Sequence, residues 1–137
     1  MEFVWDSIPN VQTALTESST KMTYPKLIVV LFLTPWNPTS KSTARSFLEI
    51  VSSGEFPNVK IFFVNIEDEL AKCKSLSIHT TPAVQFFWGG KILTIRRPDW
   101  DDDNKFVGTL PKEHWIELIH YIFDACSRGE TTMFSRF

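Results

Sequence analysis

A chain of 137 residues suits one domain with a real hydrophobic core, and 43% hydrophobic with 22% charged residues is ordinary for a globular protein. Fourteen lysines and arginines against sixteen aspartates and glutamates leave a formal charge of −2. That excludes a strong global field for nucleic acid or anionic lipid, though not a local basic patch.

The opening MEFVWDSIPN has no basic stretch leading into a long apolar one, so no secretory leader is expected. Val11, Ala14 and Leu15 at helical spacing predict a first helix over roughly 9–20. LIVVLFL, 27–33, is continuous, apolar and rich in β-branched residues, the pattern of a fully buried strand. It is far short of the roughly 20 residues that a bilayer span needs. Asn37 is a good N-cap with Pro38 at the first helical position, followed by Ala44, Phe47, Leu48 and Val51 at helical spacing and by Gly54. Residues 59–66, VKIFFVNI, read as a second buried strand. Residues 67–75 read as a short helix with acids at its start and lysines near its end.

After Thr80-Thr81-Pro82, the runs AVQFFW and KILTIRR on either side of Gly89-Gly90 predict a hairpin. PDWDDDNK, 98–105, is too polar and turn-rich for a strand and reads as an exposed loop. The last helix is expected over 111–126, with Trp115, Leu118, Ile119, Ile122 and Phe123 on one face and Gly129 closing it. The domain is therefore drawn as 1–130. The aperiodic tail, 131–137, is expected to be mobile unless a partner holds it.

Helix, strand, helix, strand, helix, hairpin, helix is an α/β order. The early βαβ part implies parallel neighbours and the hairpin adds antiparallel ones. The result is a central mixed sheet with helices on both faces, a thioredoxin-like architecture. In that fold a strand runs through a Trp into a helix that carries a cysteine pair, and a cis proline stands nearby. Here the chain reads Trp36-Asn37-Pro38-Thr39-Ser40, and Thr81-Pro82 occupies the place of the proline. Neither an amide at Asn37 nor a hydroxyl at Ser40 forms a thiolate near neutral pH, and Leu31 stands where the assisting buried acid would be. Disulfide exchange at this place is chemically excluded, and Asn37, Thr39 and Ser40 are expected to cap a helix.

Other chemistry finds less support. Ser40 has no Gly-x-Ser-x-Gly setting and no histidine expected beside it. His114 and His120 lie six apart and face different ways around a helix, so they cannot clamp one metal. Asp99, Asp101, Asp102 and Asp103 lack the glycine and distal glutamate of a calcium loop. No metal and no cofactor are expected. Phe86, Phe87 and Trp88 suit core packing better than base stacking, so no direct nucleic-acid contact is expected, and no membrane contact either. Cys73 and Cys126 have no metal or redox spacing and suit a reducing compartment. Cys73, between Lys72 and Lys74 on what reads as an exposed helix, is open to a slightly lowered pKa.

The site resembles the Trp-Asp-Pro-Thr-Cys of the Dim family of thioredoxin-like pre-mRNA splicing proteins, matching at three positions with conservative changes at two. Arg97-Pro98-Asp99 and Asn104-Lys105-Phe106-Val107-Gly108 are similar to that family's Ser-Pro-Asp and Thr-Lys-Phe-Val-Gly. Trp115-Ile116-Glu117-Leu118-Ile119, Tyr121-Ile122 and Arg128-Gly129 resemble its final helix, so the likeness covers roughly 9–130. It departs in Ser40, in the acidic loop 99–103 and in the tail. The resemblance implies a non-catalytic adaptor of the spliceosome, nuclear and in part cytoplasmic, that acts through protein partners. Trp36, Asn37, Pro38, Thr39, Ser40, Thr81 and Pro82 would form the partner surface. Asp99, Trp100, Asp101, Asp102, Asp103, Phe134 and Phe137 are secondary candidates. Two other readings remain: a scaffolding subunit of another assembly, axonemal or chaperone-associated, and a thiol-dependent redox protein using Cys73.

Overall fold

The computed structural model describes residues 4–137. Helix α1 (Ile8–Thr20) starts where the Ser7 hydroxyl accepts from the Asn10 N–H and Pro9 sits in the first turn, and it buries Ile8, Val11, Ala14 and Ser18. Strand β1 (Leu27–Leu33) is buried at all seven positions. It pairs in parallel with β2 (Val59–Asn65) and antiparallel with β3 (Ala83–Trp88). Helix α2 (Pro38–Ser52) crosses from β1 to β2 and the short α3 (Leu70–Ser75) from β2 to β3. The hairpin strand β4 (Lys91–Ile92) and β6 (Phe106–Val107) both pair with β3, so the sheet runs β2-β1-β3-β4 with β6 beside β3.

Period-2 alternation on β1 explains why its sequence is apolar throughout. Leu27, Val29, Leu31 and Leu33 pack with Phe47, Phe86, Phe106, Trp115 and Ile119 against α2 and α4 (Lys112–Ser127). Ile28, Val30 and Phe32 pack with Val11, Phe62, Cys73 and Phe87 under α1 and α3. The central mixed sheet with helices on both faces is as expected. Phe86 and Phe87 pack into the cores on opposite faces of it, as strand alternation requires. Trp115 is fully buried between Phe47 and Phe106, at ring-centroid distances of 5.0 and 5.2 Å.

Gly89 and Gly90 turn the hairpin with φ of 57° and 85°. A Cβ on Gly90 would stand 2.7 Å from the Leu15 carbonyl oxygen and 2.9 Å from Ser19 Cβ, so the turn also lets α1 lie close to the sheet.

Three expectations are corrected. KILTIRR is not one strand. The Leu93 N–H still reaches the Phe86 carbonyl at 2.9 Å, but β6 already holds the outer edge of β3 at Val84 and Ala83. The chain therefore leaves the edge as β5 (Thr94–Arg96). The tail does not stand apart from the domain: β7 (Thr132–Phe134) pairs in parallel with β5, and Met133 and Ser135 are buried. Finally, Glu67 and Asp68 precede α3 instead of opening it, and Glu69 Oε1 accepts the Ile8 N–H at 3.1 Å, joining the start of α1 to that of α3.

Candidate functional site

At the C-terminal end of β1 the chain turns through Thr34 to Trp36 and enters α2. Asn37 caps the helix as expected, its Oδ1 accepting the N–H groups of Thr39 at 2.9 Å and Ser40 at 3.0 Å. The Ser40 hydroxyl is 1% exposed and accepts the Thr34 N–H at 3.1 Å. It is thus spent on the turn that delivers the strand to the helix. Thr34 in turn holds Thr81, with the two hydroxyls 2.6 Å apart, next to a cis Thr81–Pro82 bond.

One hydrogen-bonded chain therefore joins Asn37, Ser40, Thr34 and Thr81, and it brings the two halves of the expected site together. Pro82 is buried and its carbonyl accepts the Gly108 N–H at 2.9 Å. Below Ser40, Thr43 Oγ1 lies 2.6 Å from Thr109 Oγ1 and 2.9 Å from the Thr39 carbonyl.

What remains on the outside is Trp36, 67% exposed, with Pro38 and Thr39 beside it in sequence and also exposed. Trp36 Nε1 donates to Glu67 Oε2 at 3.3 Å, which ties the ring to the β2–α3 turn. Sequence reasoning missed Thr34, Glu67 and Thr109. Thr34 was signalled only by its place next to PWNP. The other two are long-range partners without a local signature.

The secondary candidates form a second cluster, organised by two arginines that carried no assigned role in the sequence. Arg96 makes a two-pronged bond to Asp102, 2.9 and 2.7 Å, and lies 5.1 Å from the Phe134 ring. The bond raises the Arg96 pKa and holds the Asp102 carboxyl below its usual range. Arg97 lies 4.3 Å from the ring of Trp100 and 3.7 Å from that of Phe106, and donates to the carbonyls of Val107 and Phe137. Its burial lowers its pKa. Asp103 takes Lys105 at 3.0 Å, while Asp99, with φ of 62°, and Asp101 have no ion pair among the described residues. Phe137 stacks on His114 at 4.4 Å. Trp100 and Phe134 are each 55% exposed. Loop and tail thus make one surface.

Cys73 is not on an exposed face as the sequence suggested. Cys73 is 1% exposed, and burial followed by Glu69 raises its pKa, opposite to the lowering suggested by its lysine neighbours. Cys126 is 4% exposed and pushed up to about 11 by burial, with Glu130 adding to it. They belong to core clusters on opposite faces of the sheet. His120 meets Glu55 at 2.6 Å, His114 stacks on Phe137, and His79 is exposed. Among the described residues no group of three metal-ligating side chains converges, and no helix is long and apolar enough to cross a membrane.

No protein-family model matches the chain, and no curated protein does. Solved structures do. A poplar thioredoxin h superposes with a TM-score of 0.65 at 20% identity, covering 86% of this chain and 92% of that one. A chloroplastic thioredoxin z gives 0.65 at 13% identity over 90% and 99%. A thioredoxin from Fasciola hepatica gives 0.61 at 18% identity over 82% and 91%. The fold is thioredoxin-like.

Proposed function

We propose that this protein is a redox-inert adaptor on the thioredoxin scaffold, a diverged relative of the Dim proteins that works in pre-mRNA splicing by holding other proteins. The observation that carries the first half is the use of Asn37 and Ser40. Both side chains stand at the N-terminus of α2, and both are consumed in capping and turn hydrogen bonds. The remaining thiols are buried with raised pKa values, which disfavours the thiolate that exchange requires. The second half rests on the resemblance of the site, the 104–108 segment and the last helix to the splicing family.

A partner loop would dock on Trp36, Pro38 and Thr39, with Thr81 and Pro82 behind them. A large exposed indole fixed at its nitrogen is the kind of anchor that dominates a protein interface. The second surface, Trp100 and Phe134 with the unpaired Asp99 and Asp101, offers aromatic faces beside free carboxylates and suits a basic segment.

Affinity purification of a tagged chain from cells, beside its Trp36→Ala variant, tests the reading. Spliceosomal proteins should co-enrich with the wild type, the tag should show a nuclear pool, and Trp36→Ala should weaken capture by at least about tenfold. Enrichment of axonemal or chaperone-associated proteins without splicing factors overturns the splicing assignment. Catalytic insulin reduction that Cys73→Ser abolishes overturns the redox-inert one.

A further inference from the structure

The face of the sheet under α1 is incompletely covered, because α3 is only six residues long. A cleft of about 450 Å³ is left there. Its floor is Val30 and Phe32 of β1 with Gln85 and Phe87 of β3, and Val11 and Leu15 of α1 form one wall. Leu76 and Ile92 stand at its rim, 38% and 41% exposed. No residue that lines it is charged, and none belongs to the Trp36 surface.

Gln85 is the anomaly. It sits opposite Val30 in a strand otherwise apolar on both faces, is 3% exposed, and its side chain has no hydrogen bond to any described residue. Buried amides are normally satisfied. Trp115 Nε1 is the sole buried side-chain polar atom among the described residues that is both sealed off and unpartnered. The Gln85 amide, equally unpartnered, therefore keeps an opening, and the cleft is the space it lines.

We propose that this cleft binds a small uncharged molecule: a planar ring with a primary amide or lactam edge, read by Gln85. A glutamine amide presents one donor and one acceptor side by side, so the matching group must offer an acceptor and a donor on one edge. A primary carboxamide or a lactam does so, whereas an ester lacks the donor. The volume is that of small-molecule sites, and Val30, Phe32 and Phe87 make the floor around Gln85 apolar, which suits a flat ring. An ionised ligand would leave water without any counter-charge in the lining. A peptide strand has no edge to join, since β3 is paired by β1 on one side and by β4, Leu93 and β6 on the other.

Benzamide is the probe, titrated into the ¹⁵N,¹³C-labelled full chain. The Gln85 side-chain N–H₂ resonances and the methyls of Val11, Leu15 and Val30 should shift together and saturate, with a Kd on the order of a millimolar. Methyl benzoate should bind several-fold more weakly, and benzoate should not bind. Gln85→Met preserves length and removes an unpartnered amide, so the fold is kept, and it should weaken benzamide about tenfold. Gln12→Trp, at an exposed position lining the cleft, should block it from outside. Shifts that never saturate, or binding that Gln85→Met leaves unchanged, would mean that water alone satisfies the amide and would overturn the proposal. Neither result bears on the splicing reading.

Discussion

Ser40 spends its hydroxyl on the turn between β1 and α2. Its oxygen is the acceptor for the Thr34 N–H, inside a site where water has little access. Removing it with Ser40→Ala leaves that donor buried and unpaired, and should cost about 1–3 kcal/mol in urea unfolding. Asn37→Ala loses only a helix cap near the surface and should cost about 1 kcal/mol. An equal or reversed order would show that the Thr34 turn is not held by this bond. Cys126 makes a pH prediction. Its folded pKa of about 11 stands above that of an unfolded thiol, so the folded chain binds the proton more tightly. The stabilisation is complete below about pH 8.5 and fades as pH climbs toward 11, by on the order of 3 kcal/mol. The raised pKa values of Tyr24 and Cys73 act in the same direction. Denaturation midpoints between pH 8 and 10.5 should therefore fall less steeply in Cys126→Ala than in the wild type.

At the scale of elements, legibility in the sequence followed length and local pattern. β1, α2, β3 and α4 carry their own periodicity, and Asn37 and Pro38 mark a boundary with local chemistry, so all were readable. β5 and β7 are three residues each and exist through each other, a parallel pairing across the whole of α4 that no window of sequence contains. The same holds for the two arginines that fuse loop 98–105 to the tail, and for the Thr34–Thr81 contact beside the β1–α2 turn. The tail's attachment can be apportioned. Met133 is fully buried in the α2/α4-side core, so Met133→Ala should cost about 2–4 kcal/mol and speed amide exchange in β5. Arg136, whose forked pair with Glu117 lies in solvent, should leave the unfolding midpoint nearly unmoved when changed to Ala. If both variants behave alike, β7 is held by its surface and not by its core residue.

For the molecule as a whole, the scaffold and the chemistry are separable. The turn from β1 into α2, the positive end of that helix and the cis Thr81–Pro82 bond are all present. The two sulfur atoms are missing, and Leu31 stands where the buried acid would be. The double substitution Asn37→Cys with Ser40→Cys would place two thiols three residues apart on the first turn of α2, where the unsatisfied N–H groups lower a thiol pKa. Such a chain should close an intramolecular disulfide under mild oxidation, visible as the loss of two titratable thiols without dimer formation. It should then show dithiothreitol-driven insulin reduction above the wild-type background. The turnover should remain slow, because Leu31 is fully buried and supplies no carboxyl to assist the second thiol. Some stability should be lost with the Ser40 oxygen, since sulfur accepts the Thr34 N–H poorly. A double variant that folds but forms no disulfide would mean that the backbone at this helix start, and not the side chains alone, lacks redox geometry.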